Sequence, residues 1–141
     1  MELALIAPIM VLLVFGVLDL ARAYRMDIRL ENAAREGAAF GQLFPNKVTC
    51  AGTLDINERV RNEEVGVASS PGFGVRVVGF PGDVETEIAG CDSSVAKPGE
   101  RIRVEVMADY HVVTPIVSQV VGKVIRMTGT AEVRVQGQVQ A

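Results

Sequence analysis

The chain has 141 residues, 49% apolar and 22% charged, and its 14 basic and 17 acidic side chains leave a net charge of −3. That is enough for one domain with a sizeable core, and it excludes a disordered chain. The near-balance of charge argues against a nucleic-acid partner held by phosphate neutralisation, and one His with two Cys is thin material for a metal site.

The apolar excess lies at the N-terminus. Leu3 to Leu18 reads LALIAPIMVLLVFGVL with no charge, between Glu2 and Asp19. As a helix it spans about 24 Å, slightly less than the roughly 30 Å of a bilayer core. A secretory signal is the alternative, but no basic residue precedes the run and no A-x-A pattern ends it. The helical pattern also continues beyond it. Ala23, Met26, Leu30, Ala33, Gly37 and Gly41 recur at i+3/i+4 spacing as one stripe, and Leu20, Tyr24 and Ile28 form a second beside it. The sequence predicts one long helix over residues 1–41, with residues 1–20 as its membrane segment. Gly41 and Pro45 close it. Pro8 and Gly16 break helix rules inside the apolar half and mark where it could kink on leaving lipid.

Residues 42–141 read as a small α+β head. A loop over 42–53 precedes a short helix from Leu54 to Val65, started by Asp55 with Glu58 three residues on. The period then becomes two. Phe73 to Phe80 predicts a strand with Val75 and Val77 on one face, and Pro81–Gly82–Asp83 a turn. Val84, Thr86 and Ile88 alternate with Glu85 and Glu87 in a second strand, and Cys91 to Gly99 is a loop. Ile102, Val104, Val106 and Ala108 alternate with charged residues in a third. His111 to Gly122, with Thr114–Pro115, suggests a short helix or cover loop. Val124 to Val139 alternates in a long last strand, with Ile125, Met127, Ala131, Val133 and Val135 on one side. Sheets that alternate in this way are usually antiparallel with one wet face. The expected fold is therefore α+β: a long N-terminal helix covering the dry face of an antiparallel sheet of about four strands.

No catalytic constellation emerges. His111 has no ligand-spaced partner, no serine stands in G-x-S-x-G, no phosphate-binding glycine loop is present, and Glu85 with Glu87 reads as a solvated face. No enzyme activity, cofactor or metal is expected. Cys50 and Cys91 both fall in loops. Paired, they would stabilise the fold by about 4 kcal/mol in the chain-entropy model and place the head outside the cytoplasm. Unpaired, they are two thiols in a reduced compartment. Arg22, Arg25 and Arg29 follow the apolar run and argue for a cytoplasmic head. The two signals agree if a basic leader precedes the chain and is removed. Glu2 heads the apolar helix, where its carboxylate suits the helix dipole. In lipid or a protein core it needs a cation, and an α-amino group of its own or a neighbouring subunit is the nearest. At the membrane interface it needs none.

Glu2-Leu3-Ala4-Leu5-Ile6-Ala7-Pro8 with its aliphatic run resembles the start of TadE-like pilins of tight-adherence systems. So do Asp19-Leu20-Ala21-Arg22-Ala23-Tyr24 and Leu30-Glu31-Asn32-Ala33-Ala34-Arg35-Glu36-Gly37-Ala38. The resemblance covers about the first 40 residues. More weakly, the tail is also similar, from Gly99 to Ala108 through Thr114–Pro115 to the last strand. It implies a type IV-pilin-like subunit, cut from a basic leader by a prepilin peptidase, held in the inner membrane and drawn by assembly machinery into an extracellular filament. The family's acidic residue near the mature N-terminus maps onto Glu2, second here and usually fifth. The expected assembly residues are Glu2, Leu3, Leu5, Pro8, Leu12, Phe15 and Gly16, and the expected disulfide is Cys50–Cys91. A minor or priming pseudopilin, or an anchored extracytoplasmic binding domain that never polymerises, is the alternative.

Overall fold

In the computed structural model the described residues are 2–50, 54–91 and 96–136. One helix, α1 (Glu2–Leu43), runs through Pro8 and Gly16 without a break. Then come α2 (Ile56–Glu63), a single turn α3 (Val65–Ala68), β1 (Gly74–Gly79), a 3-10 turn at Pro81–Asp83, β2 (Thr86–Ile88), β3 (Arg101–His111), α4 (Pro115–Val121) and β4 (Val124–Arg134). The four strands form one antiparallel sheet in the order β2-β1-β3-β4. The architecture is the expected α+β layout, with several boundaries shifted.

The long central strand β3 shows why the sheet has two unlike faces. Ile102, Val104, Val106 and Ala108 are fully buried, while their neighbours carry the wet face. There Arg76 bonds Glu87 (3.2 Å), and Arg101 and Arg103 converge on Glu132 (2.9 and 3.2 Å). The two guanidinium groups also lie over the Phe80 ring, 5.1 and 4.9 Å from its centroid. Exposed pairs of this kind contribute little each and chiefly keep the outer face soluble.

Small residues let α1 settle on the dry face. Leu30, Ala33, Ala34 and Ala38 are fully buried against the sheet and α2. A Cβ on Gly37 would come within 2.5 Å of Val60 Cγ2 and 3.2 Å of Val104 Cγ1, and one on Gly41 within 2.7 Å of Ile102 Cδ1. From the sheet side, a Cβ on Gly129 would run into the backbone of Leu30 and Glu31. The closest approach of helix and strand is thus backbone on backbone.

The second predicted helix ends earlier than Val65, because the chain leaves helical geometry at Glu64 (φ −128°, ψ 70°) and α3 follows as its own turn. The helix α2 begins at Ile56, two residues after Leu54, but its cap is as read: Asp55 Oδ1 accepts from the Glu58 amide at 2.7 Å. The second strand is shorter than its alternation suggested, because Val84 still belongs to the turn, its amide bonded to the Pro81 carbonyl. The last strand pairs only to Arg134, opposite Arg101, where β3 begins. Beyond it the amides of Val135 and Gln136 bond the carbonyls of Glu100 and Gln42. Residues 137–139, the end of the predicted strand, lie outside the described residues.

Candidate assembly surface

The head covers only the second half of α1. From Ile6 to Leu18 every large apolar side chain is exposed, and Leu12 at 39% is the least so. The helix is long and apolar enough to cross a membrane, and only 6% of its most apolar stretch is buried, which separates it from a soluble core helix. The bare surface continues past Asp19 along the second stripe: Leu20 is 71% exposed, and Tyr24 and Ile28 are exposed as well. The two adjacent stripes therefore divide the helix, one packing on the sheet and the other facing outward.

Of the expected assembly residues, Pro8, Leu12 and Phe15 share one wall of an open apolar groove of about 660 Å³, whose other wall is Val113, Pro115 and Ile116 at the start of α4. Gly16 meets nothing within 4 Å of where a Cβ would stand, so no contact of the described residues requires glycine there. Glu2, Leu3 and Leu5 lie on the α1 backbone, but their side chains are outside the described residues.

Asp19 is the joint between the bare helix and the head, a role the sequence reading missed. Its carboxylate is buried although it borders an apolar run. Oδ2 accepts the Thr114 amide at 2.8 Å, as the glutamate of a capping box would, and Thr114 is the N-cap of α4. The Tyr110 hydroxyl donates to the Asp19 carbonyl at 3.1 Å, and Arg22 stands 3.9 Å from Oδ1. The partners lie 91 and 95 residues away in the chain, so no local pattern could announce them. The one signal was an aspartate on the helix just where charge resumes.

At the other end of the head, Cys50 and Cys91 form a disulfide with Cα atoms 5.6 Å apart. It ties the segment after α1 to the segment after β2. Hydrogen bonds from the Val48 and Thr49 amides to the Gly90 carbonyl run beside it. Asp55 anchors the same place, since Oδ2 accepts the Cys50 amide at 2.8 Å while Oδ1 caps α2. Among the described residues no group of three His, Cys, Asp or Glu side chains could hold a metal ion.

A family model described as TadE-like protein matches residues 1–39. The TadE-like signature thus covers nearly all of α1 and none of the sheet. No curated protein and no solved structure matches the chain. The chain is thus similar to TadE-like proteins along its N-terminal helix, and the bare apolar half of that helix is suited to a membrane anchor.

Proposed function

We propose that the chain is a structural subunit of an extracellular tight-adherence pilus, held in the inner membrane by the first half of α1 and then packed through that half into a helical filament. One observation carries the reading. The segment with the TadE-like signature, residues 1–39, contains the apolar run from Ile6 to Leu18 that the head leaves uncovered. Apolar side chains bare from Ile6 to Leu18 need either lipid or other helices around them. A filament core supplies the same environment as the bilayer, so a subunit can pass from one to the other at small cost. Prepilin peptidase and the assembly machinery are the partners this reading requires, and no cofactor enters it.

Glu2 sets the register in this reading. An unpaired carboxylate among apolar helices costs several kcal/mol. A neighbour's α-amino group offsets that cost through a charge-assisted hydrogen bond, available only at the correct height. The substitution Glu2→Ala should leave the chain folded and in the membrane while cutting the yield of sheared filaments sharply. Wild-type yield from that variant would remove Glu2 from the assembly contact.

A further inference from the structure

We propose that the β3–α4 corner of the head, Val113 to Val121, lies within the bilayer beside α1, so that acyl chains of the surrounding phospholipid fill the groove between them. The proposal rests on the membrane-anchored reading of α1 and goes beyond it, because it puts part of the head below the membrane surface. The first argument is depth. One wall of the groove is Pro8 to Leu18, the residues that must occupy hydrocarbon if α1 spans a membrane. That wall is about 15 Å long at 1.5 Å per residue, half of a bilayer core. The facing wall, Val113, Pro115 and Ile116, is then at membrane depth too.

The composition of the corner agrees with that depth. Val113 is 64% exposed and Ile116 51%, Val121 is exposed as well, and α4 carries no charged residue. Several of its polar groups find partners within the chain, as lipid demands, while the Gln119 side chain is exposed. The Thr114 amide is held by Asp19, the Val112 amide by the Lys123 carbonyl at 3.1 Å, and the Ser118 hydroxyl by the Pro115 carbonyl at 2.8 Å. Charge resumes just above the corner. Arg22 lines the apolar groove and also a second cleft of about 240 Å³ with Arg25, Arg29 and Ser70. Cationic side chains next to an acyl groove complement the phosphate layer of a bilayer.

The chain has no Trp, so one introduced indole reports on one place. The variants Ile116→Trp, Leu13→Trp and Val84→Trp, each in the full chain, are reconstituted into vesicles of phosphatidylglycerol and phosphatidylcholine with brominated acyl chains. All three positions are exposed, and Val84 lies at the opposite end of the sheet. Bromine should remove most of the emission of L13W and I116W and leave V84W unchanged. Quenching of L13W with I116W as bright as V84W would overturn the proposal while leaving the anchor intact. Emission of I116W that shifts to the blue only as the chain is concentrated in the bilayer, without quenching, would give the groove to a second copy and overturn it too. An unquenched L13W would overturn the anchor, and this proposal with it.

Discussion

Gly129 and Asp109 show how much single residues decide in this head. Gly129 stands where β4 meets the α1 backbone, and any side chain would have to displace the helix at Leu30. Neither partner is a flexible side chain that can swing away. The substitution Gly129→Ala should therefore cost at the upper end of overpacking, about 2 to 3 kcal/mol, read from denaturant midpoints of the full chain in detergent. A shift near zero would mean that helix and strand part more easily than their contact implies. Asp109 pairs with Arg126 across β3 and β4, its Oδ1 accepting from Nε at 3.0 Å. That hydrogen bond holds the Asp109 carboxyl below its usual value. A carboxyl with a depressed folded value adds stability above its unfolded value, near pH 4, and loses it as pH falls through the folded value. Asp109→Asn should accordingly unfold earlier than wild type at neutral pH, and the gap should close as the solution is acidified below about pH 4. A gap that stays constant with pH would assign the loss to something other than the charge.

At the scale of elements, the sequence and the structure agree where burial follows a local period. The stripe through Leu30, Ala33, Gly37 and Gly41 and the alternation from Ile102 to Ala108 are buried as their spacing implies. Leu20, Tyr24 and Ile28 have the same period but lie outside the head, because periodicity marks an apolar face without naming its partner. Gly129 carries no sequence signal and Asp19 only that of an aspartate where charge resumes, since their meaning comes from backbone or amides far away in the chain. Strand ends were misplaced for a similar reason: β4 alternates past Arg134, but the strand that would pair with it has not yet begun. Asp19 also fixes where the anchor can be cut. Removing residues 1–20 would take away the acceptor of the Thr114 amide, whereas removing residues 1–18 keeps it. The shorter deletion should give a soluble, folded monomer by light scattering, with the Cys50–Cys91 disulfide formed. Filaments from that truncated chain would show that the apolar half is dispensable for association.

Across the whole molecule, α1 belongs to two environments. Its second half is the central cover of a packed sheet, and its first half is largely bare, faced by the α4 corner across an open groove. The joint at Asp19 and the disulfide lie on different parts of the head, one holding the α4 corner to the helix and the other closing the segments after α1 and β2. On the proposed function, the head stays folded while the bare half exchanges lipid for neighbouring helices, as a filament subunit must. Mass spectrometry of filaments sheared from the cell surface and seen by electron microscopy tests this most directly. The account predicts this chain in the filament fraction, two hydrogens lighter than its reduced form. Its absence from the filaments, with all of it retained in the membrane, would contradict the account and leave an anchored domain that does not polymerise.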